Sequence, residues 1–147
     1  MRRDHRLSRM LHVLIHLGDH EGPIPSTVIS QMLGTPPAIV RRTMGALRDR
    51  GIVASAKGKG GGWTLKRPLK RVTMLDVYEA LDRPSLFALG PANESPTCLV
   101  EKAVDARLSA ALQAAAAMLR EEMERTTLDH IADDYRTRLA NLDGAKA

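Results

Sequence analysis

The stretch 26–65 most constrains the fold, because it predicts two short helices joined by a tight turn and followed by a small hairpin. A first helix over 27–33, with one buried face, is predicted by the helical spacing of Val28, Ile29, Met32 and Leu33. Ser26 should be its N-cap and Gly34 its end. A Thr-Pro-Pro sequence then begins a second helix, which runs to about Arg50. This order is typical of a helix-turn-helix.

The second predicted helix has one apolar stripe and a separate basic face. Val40, Met44 and Leu47 recur at positions i, i+4 and i+7 and form the stripe. Arg41 and Arg42 project elsewhere, near the start of the helix, where a helix-turn-helix contacts the major groove. The planar guanidinium of arginine can bind guanine O6 and N7 together, or a phosphate. The pattern therefore predicts a DNA-reading helix.

Glycine and lysine dominate the segment between two short strands predicted at 52–53 and 63–65. Four glycines in the five residues 58–62 allow positive φ and a tight hairpin, whose tip carries Lys57 and Lys59. Such a tip can lie along DNA phosphates or enter a minor groove. A P-loop is the competing interpretation, but its GK[ST] sequence is absent.

The net charge of +5 is divided unevenly along the chain. Residues 1–71 contain 14 Lys and Arg against 4 Asp and Glu, whereas residues 72–147 contain 8 against 13. Positive charge concentrated on the segment with helix-turn-helix character favours nucleic acid as the partner, and counterion release would drive part of the affinity. A second basic cluster follows the hairpin, and phosphate contact and a solvated loop both remain open for it. Its members are Lys66, Arg67, Lys70 and Arg71.

Composition excludes several other classes of protein. Aromatic residues make up 3% of the chain, so the core must consist of aliphatic side chains, which favours helix packing over a β-sandwich. No run of about 18 apolar residues exists, so we expect no membrane span. The basic N-terminus is not followed by a continuous apolar segment, so it does not resemble a signal peptide. A single cysteine cannot form an internal disulfide, which agrees with a cytoplasmic protein.

The first predicted helix covers 7–17 and should end at Gly18. Its outer face carries His12, His16 and His20 at successive spacings of four, which could hold a metal ion if the helix continued past Gly18. No carboxylate or cysteine stands at a helpful spacing beside these imidazoles. The alternative is a solvated face or a surface near DNA phosphate, and we assign no metal site.

A stretch with three prolines and a glycine predicts a linker loop over 83–97, which separates a DNA-binding domain over 1–82 from a dimerisation helix and short C-terminal helix over 98–147. Thr73 should cap a helix over 74–82, and Thr127 should cap a last short helix.

Between these caps, the segment 99–125 predicts one helix of about 27 residues, roughly 40 Å long. Apolar residues at steps of four or three give it a continuous stripe, whose members include Val100, Val104 and Leu119. A small domain cannot cover a helix of this length alone. The segment therefore predicts a dimerisation helix that crosses its symmetry mate.

Three motifs carry a resemblance to a known family. The segments LRDRGIV at 47–53, KGGGWTLKRP at 59–68 and VTMLDV at 72–77 resemble the Rrf2 family of bacterial transcriptional regulators. The similar family patterns are L-x-x-x-G-[IL]-V, then a wing G-G-[YF]-x-L-A-x-P, then [IV]-T-[LI]-x-[DE]-[VI]. The chain departs from the wing pattern at Lys66, where alanine is usual. Trp63 replaces tyrosine or phenylalanine, and we favour core packing for it over DNA contact.

The resemblance implies a dimeric winged-helix protein that is not an enzyme. Together with the residue patterns it gives a set of candidate DNA-binding residues: Ser26, Thr35, Pro37, Ala38, Arg41, Arg42, Lys57, Lys59, Gly60 and Gly61.

Several members of that family hold an iron–sulfur cluster through three cysteines. Only Cys98 is present here, at the position of the first of them, and two subunits would offer only two thiolates, so we expect no cofactor. At a helix N-terminus the thiolate is favoured, which suits an oxidant sensor. An inert packing role for Cys98 is the alternative.

The sequence thus predicts a mainly α protein with a small β-hairpin, built as a winged helix-turn-helix DNA-binding domain plus a long dimerisation helix. The expected function is a homodimeric repressor on an inverted-repeat operator of double-stranded DNA, responsive to an oxidant or a small molecule. A winged-helix protein-interaction module without a DNA role is the alternative. A metal-dependent enzyme built on His12 and His16 lacks an identifiable acid or base partner.

Overall fold

The computed structural model describes residues 3–145, which form six α-helices and one hairpin. In chain order the elements are α1 (Arg6–Asp19), α2 (Ser26–Leu33), α3 (Pro37–Asp49), β1 (Val53–Ala56), β2 (Gly62–Leu65), a 3₁₀ turn (Leu69–Arg71), α4 (Met74–Ala80), α5 (Leu99–Arg125) and α6 (Leu128–Gly144). The two strands are antiparallel, with Val53 opposite Leu65. The predicted fold class, mainly α with a small hairpin, is confirmed.

One hydrophobic core joins the helix-turn-helix to its neighbours. Val40, Met44 and Leu47 are completely buried, so the predicted stripe on α3 is confirmed. They share a cluster with Leu14 of α1 and Ile29 of α2, which are also fully buried. Burying side chains of this size stabilises the fold by roughly 1.5–3 kcal/mol each. Val28, which the sequence placed on the buried face of α2, is 44% exposed, and that prediction was wrong.

The first helix continues past the glycine that was expected to end it. Gly18 lies inside α1, which ends at Asp19, and His20 has an extended backbone. A Cβ built on Gly18 would lie only 2.7 Å from Cδ1 of Leu69. The helix thus ends one residue after the predicted position, and the glycine also allows close packing of α1 against the 3₁₀ turn.

Ser26 is not the N-cap of α2. Pro25 occupies that position, and the Ser26 hydroxyl instead accepts a hydrogen bond from the indole nitrogen of Trp63 at 2.9 Å. Trp63 is 6% exposed, which confirms its packing role. It also exchanges two backbone hydrogen bonds with Ile24, at 3.0 and 2.9 Å. These contacts join β2, close to the turn of the hairpin, to the start of α2 and the residues just before it.

The start of α6 is joined to the start of α4. Thr73 and Thr127 each accept a hydrogen bond from the third residue of the helix that they cap, so both predicted caps are confirmed. Backbone hydrogen bonds of 2.8 Å link Met74 to Thr126 and Leu128 to Val72.

Two boundaries differ from the sequence prediction here. α4 ends at Ala80, two residues early, and α6 has 17 residues and is not short. Leu128 and Ala132 of α6 are fully buried in the core of the N-terminal helices, which explains why α6 begins against that core.

The long helix α5 has the predicted bounds, and most of its apolar side chains face outward. Met123 is its one buried residue among those that the structure describes. Leu99, Val100, Val104 and Met118 are 57–80% exposed. Within residues 3–145, no helix combines the length and apolar character needed to cross a membrane.

Candidate nucleic-acid interface

The N-terminal half of α3 presents two arginines on its solvent-facing side. Arg41 and Arg42 are exposed, and neither has an ion-pair or hydrogen-bond partner in the described part of the chain. Val40 and Met44, beside them on the helix, are buried and fix the rotation of α3. The two guanidinium groups are therefore positioned by the core while their donors remain available to a ligand.

A third guanidinium, that of Arg9 on α1, lies beside the turn before α3, and the sequence did not suggest it. Nη1 of Arg9, an exposed residue of α1, donates to the Thr35 hydroxyl at 3.0 Å. Thr35 also bonds to the carbonyl of Leu33 at 3.3 Å, and the Ser30 hydroxyl donates to the Thr35 carbonyl. These bonds place Arg9 at the N-terminal end of α3. No local pattern could reveal this contact, because 26 residues separate the two partners.

The remaining candidates near α3 have simple positions. Pro37 is the first residue of the helix and is half-buried, and Ala38 follows it and is exposed. Proline is suited to this position because the first backbone N–H groups of a helix have no intrahelical partner. The small Ala38 side chain allows a partner to approach the helix start closely.

The hairpin presents its lysines at an exposed tip. Lys57 and Lys59 are exposed, and the tip turns through Gly58 and Gly60, whose φ angles are +86° and +77°. A Cβ on Gly61 would lie 2.3 Å from the carbonyl oxygen of Ala56 across the hairpin. The glycines thus have a geometric role: they let the two strands close on a narrow loop that carries two cations.

In the basic cluster after the hairpin, one residue is bonded to the rest of the fold and the other three are exposed. Arg67 forms an ion pair with Asp76 at 3.7 Å and donates to the carbonyl of Arg71 at 3.4 Å. Asp76 also accepts from the backbone N–H of Thr73 in the cap of α4. Arg67 therefore attaches the chain to α4. Of the others, Lys66, Lys70 and Arg71 are exposed.

Cys98 is the N-cap residue of α5 and is exposed. The backbone N–H groups of Glu101 and then Val100 lower the pKa of its thiol below the ordinary value. The structure therefore gives Cys98 an accessible position where the thiolate is favoured, and it does not pack Cys98 into the described core.

Known proteins resemble this chain in both sequence and fold. A 76-residue match, 34% identical, relates it to IscR of Xenorhabdus nematophila, an HTH-type transcriptional regulator, and covers 52% of this chain and 45% of that relative. The chain therefore matches about half the length of such curated relatives.

Two solved structures superpose on most of the chain. CymR (YrzC), the global cysteine regulator of B. subtilis, matches with a TM-score of 0.64 and 22% identity, covering 90% of this chain and 97% of CymR. IscR of T. potens matches with a TM-score of 0.64 and 19% identity, covering 92% and 88%. At these identities the likeness concerns the fold.

A family match extends over residues 3–134 and is described as Rrf2, iron-dependent transcriptional regulator. The donor set of this chain does not fit iron held by three thiolates, because Cys98 is its single cysteine. Within residues 3–145, no three His, Cys, Asp or Glu side chains group so that they could hold a metal ion. One copy of this chain therefore cannot supply three thiolates to an iron site.

The family match covers most of the chain, and the helix-turn-helix and the hairpin lie within it. Transcriptional regulation, and not enzymatic catalysis, is what relatives of this kind perform. The chain belongs to the Rrf2 family of transcriptional regulators.

Proposed function

We propose that the protein is a cytoplasmic repressor that binds an inverted-repeat operator in double-stranded DNA as a homodimer. The observation that carries this proposal is the pair Arg41 and Arg42, exposed and unpartnered in the described chain, on a helix whose opposite face is locked into the core. In a helix-turn-helix this is the region that enters the major groove.

Two further groups of cations support the same surface. Arg9 stands beside Thr35 at the start of α3, and Lys57 and Lys59 occupy the tip of the wing. Cations at a turn and a wing tip suit phosphate contacts, which position a protein on the duplex without reading sequence. We assign base reading to α3 and phosphate contact to the wing, with Ser26, Gly60 and Gly61 shaping the junction between them.

The dimer follows from the unpartnered stripe on α5. Val100, Val104 and Met118 are 57–70% exposed, and a stable subunit rarely leaves so continuous an apolar face in water. A second copy of α5 would cover it with two-fold symmetry, and each α3 would then meet one half of an inverted repeat.

On this proposal residues 1–82 form the DNA-binding domain, 83–97 the linker and 98–147 the dimerisation region. Residues 1, 2, 146 and 147 lie outside the described structure.

The test begins with a selection of bound duplexes from a random pool, followed by binding titrations on the selected sequence. We expect the affinity to fall steeply as salt rises, because released counterions contribute to it. Reversing both arginines, Arg41→Glu with Arg42→Glu, should abolish binding. Reversal of an exposed arginine on the far helix, Arg138→Glu, is the matched control and should leave the affinity nearly unchanged.

If the doubly reversed protein binds the selected duplex as tightly as the original, the DNA-reading role of α3 is wrong. A winged-helix module that binds another protein would then be the better account. Loss of binding in the Arg138→Glu control as well would indicate a diffuse charge effect and would also contradict the assignment to α3.

We further propose that Cys98 makes the regulator responsive to oxidants. Its thiolate would attack a peroxide oxygen, giving a sulfenic acid on Cys98 and releasing hydroxide or an alkoxide. The accessible position of the thiol at the start of α5 supports this step. Peroxide should change the DNA affinity of the natural protein and leave that of Cys98→Ser unaltered; identical responses of the two proteins would refute it.

A further inference from the structure

Two histidines on the outer face of α1 have their ring nitrogens directed at each other. Nε2 of His12 lies 3.0 Å from Nε2 of His16, one turn further along the helix. Both side chains are exposed. The two rings are inclined by 61°, with centroids 4.8 Å apart, so they meet edge to face and are not stacked. When both rings carry their proton on Nδ1, each Nε2 has a lone pair that can bind an ion.

The separation of the two nitrogens suits a shared metal ion. Histidine nitrogens bind Zn²⁺ and similar ions at about 2.0–2.1 Å. Two nitrogens 3.0 Å apart would then subtend about 95° at the ion, close to the cis angle of octahedral or square geometry.

The surroundings give such an ion space and a partly apolar wall. His12 and His16 line a groove of about 510 Å³ between α1 and α6, whose apolar walls include Leu11 and Ile131. A groove of this size has room for an ion and several waters. Asp19 and Tyr135 stand at the same groove, and the Asp19 carboxylate is bonded to Arg136 of α6 at 3.3 Å.

The third histidine of the sequence pattern does not take part. α1 continues past Gly18 but ends at Asp19, and Nδ1 of His20 lies 3.1 Å from the carbonyl oxygen of Gly22. Two protein nitrogens with water in the other positions are thus what the described chain offers. This makes the site open, and distinct from the closed sets of four ligands that structural zinc requires.

We propose that His12 and His16 form a binding site for one divalent ion of the later first transition row, namely Cu²⁺, Ni²⁺ or Zn²⁺. Imidazole suits these three metals, and Cu²⁺ should bind most tightly. The ion would link His12 to His16, one turn apart on α1, near the Asp19–Arg136 ion pair that joins α1 to α6. The site is independent of the DNA-binding proposal, because it lies on α1 and α6 and uses none of the candidate residues on α3 or the wing.

The experiment is a calorimetric titration of the tag-free full chain, in a Cys98→Ser background that removes the thiol as a ligand. Each of the three ions is added in a buffer that does not coordinate metals. We expect one ion per chain and the tightest binding for Cu²⁺. His12→Ala or His16→Ala should each weaken binding by at least roughly tenfold, since even the loss of groups behind metal ligands has effects of that size.

Two further measurements separate this site from adventitious binding. The Cu²⁺ electron paramagnetic resonance spectrum should show coupling to two imidazole nitrogens, and His16→Ala should reduce this to one. His20→Ala is the matched control and should bind and couple like the parent protein. The bound ion should also raise the melting temperature of the parent but not that of His16→Ala, because a ligand that binds the folded state stabilises it.

The proposal is overturned if none of the three ions binds, or if His16→Ala and His20→Ala bind equally well. Coupling to a single nitrogen in the parent protein would also contradict it, since the pair would then share only a hydrogen bond. All three variants change exposed side chains, so circular dichroism should show an unaltered fold.

Discussion

At the residue scale, two glycines inside helices have opposite surroundings. A Cβ on Gly18 of α1 would lie 2.7 Å from Leu69, whereas a Cβ on Gly45 of α3 would meet only an arginine nitrogen at 3.8 Å. Gly45→Ala should therefore raise the free energy of unfolding by about 0.5–1 kcal/mol, because alanine loses less backbone freedom. Gly18→Ala should lower it, since overpacking costs typically about 1–3 kcal/mol.

Urea unfolding of the two variants side by side measures this difference. Both substitutions add one methyl group to a helix, but of the two only Gly18 has side-chain atoms within 3.0 Å of the added group. Equal shifts of the same sign would show that α1 and the 3₁₀ turn can separate at no cost, which contradicts the close approach.

Cys98 provides a residue-scale prediction about pH. The N–H groups of Glu101 and Val100 lower the pKa of the thiol, so the thiolate forms at a lower pH than in a free cysteine. The rate of alkylation by iodoacetamide should rise with pH through a midpoint below that of a free thiol. A midpoint equal to that of an unfolded cysteine peptide would mean that the helix start does not act on Cys98.

At the element scale, the sequence predicted those helices whose own residues carry a clear apolar pattern. The stripe Val40, Met44 and Leu47 placed α3, and unbroken apolar spacing placed both ends of α5. Features that depend on distant partners were missed. The close approach of Gly18 to Leu69 has no local signal, because 51 positions separate them. Ser26 resembled a cap because nothing near it in the sequence reveals its bond to Trp63.

The helix α6 gives an element-scale prediction with an internal control. Leu128 is completely buried against the N-terminal core, whereas Leu139, eleven residues later on the same helix, is 45% exposed. Leu128→Ala should lower the free energy of unfolding by about 2–5 kcal/mol. Leu139→Ala should have a much smaller effect, because its side chain stays largely in water. Thermal and urea unfolding would measure both.

An equal effect of the two substitutions would contradict the docking of α6 on its own N-terminal core. It would indicate that the helix packs elsewhere in solution, for example on a partner subunit. The predicted difference also tests how a helix longer than expected is held, since its first turn is buried and its later turns are exposed.

At the scale of the whole molecule, the division of charge indicated the function before any contact was known. The excess of cations in residues 1–71 was readable from the sequence, and so were Arg41 and Arg42. The contact of Arg9 with Thr35 was not, because it depends on how α1 crosses the turn before α3. Sequence also could not separate Arg67, which is bonded to Asp76, from its exposed basic neighbours.

The dimer provides a prediction at this scale. Val104 lies on the exposed stripe of α5 and Ala106 is exposed about 200° further around the helix. Val104→Glu would place a charge in the proposed interface and should give a monomer in sedimentation equilibrium. Ala106→Glu adds the same charge on the opposite face and should remain a dimer. If both variants remain dimers, or if the parent protein is a monomer, pairing through α5 is contradicted.

The central claim is that α3 lies in the major groove of DNA and that the dimer displays it twice. Protection of guanine N7 from methylation on a selected operator tests this directly. We predict two symmetric protected clusters about one helical turn apart, both lost when Arg41 and Arg42 are replaced by alanine. A single cluster, or protection that survives the double replacement, would contradict the account.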